Sequence, residues 1–190
     1  MKQSPYLVCV TGLKNSGKTT VCTAVIADLI ARGYSVAALK SSHVAKLRLD
    51  NRAGDSFALA ESGARFVLVQ GAEESLILER GSRSFRHMLR RVPEDVDFII
   101  SEGGEARSAA AVIVCLSDAS AWEQTLRVRR VPRDRILALA GSFVRSVRAA
   151  SPSGDDSGWE TLEGFPLIDI TTTGGRKALV QLILKGAGTG

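Results

Sequence analysis

Gly12-Leu13-Lys14-Asn15-Ser16-Gly17-Lys18-Thr19 fits the pattern G-x-x-x-x-G-K-[ST] in full, and the sequence on either side of it decides how the chain folds. Before it lies a short apolar run, Tyr6 to Val10. After it comes a long stretch in which Val21, Val25 and Leu29 recur at i+4 with Ile26 and Ile30 beside them, closed by Arg32-Gly33. A second apolar run covers Ser35 to Leu39. Strand, tight turn, helix and strand make a β-α-β unit. Parallel strands joined by such a crossover put their carboxyl ends on one edge, where open α/β sheets bind ligands.

The turn carries phosphate chemistry. Glycines at 12 and 17 allow tight backbone geometry, so the N–H groups from Lys14, Asn15 and Ser16 through Gly17, Lys18, Thr19 and Thr20 can converge on a triphosphate at the positive end of the following helix. Lys18 can reach the β and γ phosphates, and the Thr19 hydroxyl can ligate Mg²⁺. Such a site needs an acid at the carboxyl end of a neighbouring strand. Glu102 meets that requirement, because it follows the apolar Asp97-Phe98-Ile99-Ile100-Ser101 and precedes Gly103-Gly104. It can hold the metal directly, hold it through water, or orient an attacking water. Asp97 lies at the wrong end of that strand. Asp55 has two readings, a cap for the helix beginning near Ser56 and a member of the metal shell.

Farther along, a helical pattern over about Ser56 to Ser62 ends at Gly63, and Phe66 to Val69 and Leu76 to Leu78 flank a short polar turn as a β-hairpin. Strands are expected at Val96 to Ile100, Ala109 to Leu116, Arg135 to Ala140 and Leu167 to Ile170. Helices are expected around Ala119 to Leu126 and Gly175 to Leu184, the second running into a frayed glycine-rich tail. The whole reads as an α/β fold with a mostly parallel central sheet and an inserted hairpin, one domain over residues 1–190.

Of the 190 residues, 45% are apolar and 24% charged, which fits a globular chain and excludes disorder, collagen and disulfide scaffolds. No apolar run reaches the roughly 18 residues of a membrane span, and no export signal is visible, so the expectation is a soluble cytoplasmic protein. Cys9, Cys22 and Cys115 lie singly in apolar stretches and read as reduced core thiols. The net charge of +5 is concentrated in arginines, in one group from Arg80 to Arg91 and another from Arg127 to Arg135. Arg83, Arg86 and Arg90 would share one helix face, either solvated or holding a phosphate. Aromatics are only 5% and are not interleaved with the basic groups, so no nucleic-acid partner is expected.

The loop motif with Thr20, the Lys40-Ser41-Ser42-His43 stretch, Asp55-Ser56 followed by Glu61-Ser62-Gly63-Ala64, and Ile99-Ile100-Ser101-Glu102-Gly103 together resemble the molybdopterin-guanine dinucleotide biosynthesis protein B (MobB) family. The resemblance spans about residues 6 to 116. It implies a three-layer P-loop NTPase fold, GTP binding with slow hydrolysis, Mg²⁺ and a homodimer. It also implies an adapter role in molybdenum cofactor maturation beside the guanylyltransferase that attaches GMP to molybdopterin. Two departures stand out: Ser41 and Ser42 precede His43 where the family has a Lys-His pair, and Ala53-Gly54-Asp55-Ser56 lacks the family's lysine. The residues by themselves leave a second function open, a small-molecule kinase using ATP with the Arg80 to Arg91 segment clamping a phosphorylated acceptor.

Overall fold

The computed structural model describes residues 4–42, 59, 61–81, 83–147, the backbone of 148–150, and 161–189. The chain divides into two compact units, one formed by residues 1–41 and 89–190 and the other by residues 42–88.

The larger unit is built on five parallel strands. They are β1 (Tyr6–Gly12), β2 (Val36–Lys40), β5 (Phe98–Glu102), β6 (Ala111–Cys115) and β7 (Ile136–Ala140), in the spatial order β2-β5-β1-β6-β7. Every neighbouring pair in this sheet is parallel. Such a sheet is covered on both faces, which is why its strands read as continuous apolar runs rather than as alternating ones. One face packs Val8, Val10, Phe98, Ile100, Ile113 and Ala138 against α1 (Lys18–Ala31) and α5 (Thr173–Ala187), through Val21, Val25 and Leu29 of the first helix and Leu179, Val180 and Ile183 of the second. The alternate residues Leu7, Cys9, Ile99, Val112, Val114 and Leu139 are buried as well. On α3 (Ala121–Arg129), Trp122 and Leu126 are buried outside that first cluster. A further helix, α4 (Ser142–Ala150), follows β7 and buries Val144. This is the three-layer P-loop NTPase fold.

The smaller unit holds the expected hairpin, β3 (Phe66–Gln70) against β4 (Ser75–Glu79). The helix expected over Ser56 to Ser62 lies mostly outside the described residues. Leu59 and Glu61 are helical, and Gly63, at φ 104°, ends the segment as expected.

Three expectations are corrected. Leu167 to Ile170 is not a strand: only Leu167 bridges Leu139, and then the Asp169 carboxylate accepts from the Thr171 N–H at 2.9 Å and hydroxyl at 2.7 Å, turning the backbone away from the sheet. A two-residue-per-strand hairpin, β8 (Thr161–Leu162) with β9 (Phe165–Pro166), precedes it. The carboxyl end of α5 is not frayed, because Gly188 takes φ 72° and Thr189 N–H donates to Leu184 O at 3.0 Å. The arginine helix is only the five residues of α2 (Phe85–Leu89), so Arg83 and Arg90 fall outside it and share no face with Arg86. Among the described residues, no helix is long and apolar enough to cross a membrane.

Candidate functional site

The turn between β1 and α1 lies at the carboxyl edge of the parallel sheet, as its sequence required. Gly12 pairs in register with Cys115 of β6, and a β-carbon there would lie 2.3 Å from Cys115 O and 2.5 Å from Ser16 Oγ. Only glycine permits that approach. Gly17 has φ 87° and Asn15 φ 61°, so the loop turns through two left-handed positions before the helix begins. Ser16 is buried and its hydroxyl donates to Leu13 O at 2.9 Å; its side chain therefore braces the loop from within, while Lys14, Asn15, Thr19 and Thr20 are exposed.

Helix α1 starts without a side-chain cap and without an acidic residue in its first turn. Its leading N–H groups and positive dipole end are thus left for an anion. The Lys18 ammonium bridges the loop to Leu13 O at 2.5 Å. Burial pulls its pKa below the ordinary lysine value, with the charge of Arg129 pushing the same way and Glu102 opposing. An anion beside it would relieve both penalties.

Glu102 ends β5 on the same edge. Its carboxylate accepts from the Thr19 hydroxyl at 2.9 Å and lies 3.3 Å from the Lys40 ammonium at the end of β2. Parallel pairing puts Lys40 directly opposite Glu102, and the pairing continues through Ser41 N–H to Glu102 O at 3.1 Å. The turn behind Glu102 is fixed by Gly103 N–H to Val10 O at 2.9 Å and by the Ser101 hydroxyl to Gly103 O at 2.7 Å, with Gly103 and Gly104 at φ 76° and 88°. Thr19 and Glu102 together supply neutral and anionic oxygens, a donor set suited to a hard divalent cation that keeps several waters. Among the described residues there is no group of three or more His, Cys, Asp and Glu side chains able to hold a metal. Asp55 and His43 lie outside the described residues. Asp97 is at the far end of β5, where its carboxylate accepts from Ser35 N–H at 2.8 Å.

Two further contributors reach the loop from distant parts of the chain. Arg129, 117 residues beyond Gly12, donates Nε to the Gly12 carbonyl at 3.1 Å and so anchors the start of the loop. Gly141, at φ 102°, would place a β-carbon 2.3 Å from Ser16 O and 2.8 Å from Leu116 O. Both follow from tertiary approach, which a linear pattern cannot display.

Several of the remaining arginines are committed elsewhere. Arg80 pairs with Glu61 at 3.0 Å, and Arg83 with Glu79. His87 has the acidic neighbour that its sequence surroundings did not suggest, with Nε2 3.6 Å from Glu79 Oε2. Arg133 bridges Glu123 and Glu163 over the Trp122 ring, while Arg135 donates to the carbonyls of Arg107 and Ala109. The three cysteines are buried and unpaired.

The sequence matches the family described as Molybdopterin guanine dinucleotide synthesis protein B, MobB, over residues 7–140. A molybdopterin-guanine dinucleotide biosynthesis adapter protein of Haemophilus influenzae is 35% identical over 72 residues, 38% of this chain and 40% of that protein's length. Among solved structures, a molybdopterin-guanine biosynthesis protein B aligns over 96% of this chain and 99% of its own with 21% identity and TM-score 0.64. Bacillus subtilis MobB aligns over 95% and 97% with 17% identity and TM-score 0.62. A MobB homologue of Bacillus stearothermophilus aligns over 97% and 99% with 18% identity and TM-score 0.60. At these identities the structural likeness speaks to the fold. The family match, which runs from β1 through the phosphate loop and Glu102 to the end of β7, shows that this chain belongs to the MobB family.

Proposed function

We propose that this protein binds GTP with Mg²⁺ at the β1–α1 loop, hydrolyses it slowly, and serves as an adapter in molybdenum cofactor biosynthesis, assisting the guanylyltransferase that attaches GMP to molybdopterin. The observation that carries the nucleotide reading is the convergence of the uncapped α1 terminus, Lys18 and the Thr19–Glu102 pair at one sheet edge. Family membership supports the pathway, and the adapter role is stated for the Haemophilus relative, which the match covers over 40% of its length.

Backbone N–H groups from Lys14 to Thr20 hold the phosphates, and Lys18 exchanges Leu13 O for β and γ phosphate oxygens. Thr19 and Glu102 hold the magnesium site. Bound there, Mg²⁺ neutralises charge on the β and γ phosphates. Glu102, already accepting from Thr19, keeps the hydroxyl oriented with its lone pairs outward. Hydrolysis then needs a water admitted beside the γ phosphate. Slow turnover, as the family resemblance implies, suits an adapter whose state matters more than its flux.

The kinase alternative finds less support. Its arginine clamp requires free guanidinium groups on one helix face, yet Arg80 and Arg83 are engaged by Glu61 and Glu79. A homodimer completes the reading. In the β3–β4 register Leu68 faces Ile77, and these are 71% and 59% exposed in the single chain, an apolar pair that a second copy would cover.

The test is reconstitution of GMP attachment with purified guanylyltransferase, molybdopterin and GTP. The expected outcome is that adding this protein raises product formation severalfold and that Lys18→Ala removes the gain. Equal stimulation by both forms would refute a nucleotide-dependent adapter.

A further inference from the structure

Among the described residues, Lys40 is a charged neighbour of Glu102 that a nucleotide site does not itself require. Its ammonium lies 3.3 Å from Oε1 and 3.4 Å from Oε2, so it faces both carboxylate oxygens, while Thr19 takes Oε2 as well. The partners differ in surroundings: the Glu102 side chain is 17% exposed and that of Lys40 is 64% exposed. A carboxylate that far withdrawn from water needs a counter-charge. The lysine providing it is largely solvated and therefore easily displaced. Its position is not accidental, because the β2–β5 register sets Lys40, on the edge strand, opposite Glu102 on its neighbour.

We propose that Lys40 is a positioning residue that acts as a stand-in cation, holding the Glu102 carboxylate beside Thr19 before the nucleotide arrives and giving it up to the divalent ion that comes with the phosphates. This rests on the reading of the β1–α1 loop as a magnesium-nucleotide site and adds to it how that site is kept ready and how its metal requirement is set. Two cations of total charge +3 within about 4 Å of one carboxylate repel each other, so lysine and metal compete for Glu102. The ammonium swings into solvent when the metal binds, which its exposure permits. The cost of removing it raises the magnesium concentration needed for nucleotide binding. In the metal-free protein the same contact keeps Glu102 from turning away from Thr19.

The experiment is equilibrium binding of a fluorescent GTP analogue to the full chain, titrated with Mg²⁺ from chelator upward, for the wild type, Lys40→Met, Lys40→Arg and Glu102→Gln alone and combined with Lys40→Met. An exposed ion pair of this kind corresponds to a shift of about fivefold at most. Lys40→Met is expected to lower the half-saturating Mg²⁺ about three- to fivefold while binding in chelator stays within about twofold of wild type. Lys40→Arg keeps the wild-type midpoint. In the Glu102→Gln background the Lys40→Met shift disappears, because the lysine works through that carboxylate. An unmoved midpoint in Lys40→Met overturns the inference and leaves the nucleotide reading intact. Weakened binding in chelator, or a shift that persists in Glu102→Gln, assigns Lys40 to the phosphates or to the general field and overturns it too. A wild type with no magnesium-dependent nucleotide binding removes the site reading and this inference together.

Discussion

At the scale of single residues, the placement of Gly12, Lys18, Thr19 and Glu102 at one sheet edge was legible from sequence, because each occupies a fixed offset from a strand end or helix start. Lys40 was visible as part of a polar stretch, but its pairing with Glu102 depends on β2 lying beside β5, a neighbour relation that spacing along the chain does not encode. The thiols read correctly as buried, and their burial has a titration consequence. Desolvation raises Cys9 and Cys22 from 9.0 to about 12, and raises Cys115 as well. In the folded chain these groups keep their protons where the unfolded chain loses them, so unfolding releases protons between pH 9 and about 12. Their contribution to stability is therefore full below pH 9 and is lost as pH rises through that window, by up to about 1.4 kcal/mol per thiol per pH unit. Denaturant titrations at pH 8 and pH 10 should show this loss, and replacing Cys9 and Cys22 by Ala should flatten the difference between them.

Among elements, the phosphate loop is held from outside as much as from within. Helix α3 reaches it through Arg129 to the Gly12 carbonyl, and the β7–α4 turn presses on it at Gly141. The five central strands and the hairpin were legible because buried parallel strands are apolar throughout and the hairpin strands flank a short turn. Leu167 to Ile170 misled because its apolar content reports burial, whereas the Asp169 turn that ends its pairing lies in one side chain. The arginine helix misled because charge spacing sets a helix face only where a helix forms. A test at this scale is Gly141→Ala. The added methyl group would meet Ser16 O and Leu116 O while forcing alanine to φ 102°. Stability is expected to fall by about 2 kcal/mol or more, seen as a lower melting temperature, with nucleotide affinity falling too because Ser16 belongs to the loop. Unchanged melting and binding would show that the turn does not support the loop.

Across the whole molecule, the carboxyl edge of one parallel sheet gathers every described residue assigned to the nucleotide, and in the two arginine groups Arg80, Arg83, Arg129, Arg133 and Arg135 are engaged with carboxylates or carbonyls. For those five the charge is met within the chain. Apolar exposure is the better guide to a partner: sedimentation should find a dimer, and Leu68→Lys with Ile77→Lys should convert it to a folded monomer, whereas an unaltered assembly would place the contact elsewhere. The central claim is that the loop at Gly12 to Thr19 is a working magnesium-nucleotide site. Calorimetric titration of GTP into the wild type and Lys18→Ala, with and without Mg²⁺, measures that most directly. The account predicts saturable GTP binding that tightens with Mg²⁺, exceeds the affinity for ATP, and falls at least about tenfold in Lys18→Ala, a loss of about 1.4 kcal/mol. Absence of saturable binding, or equal binding by the two proteins, would contradict it.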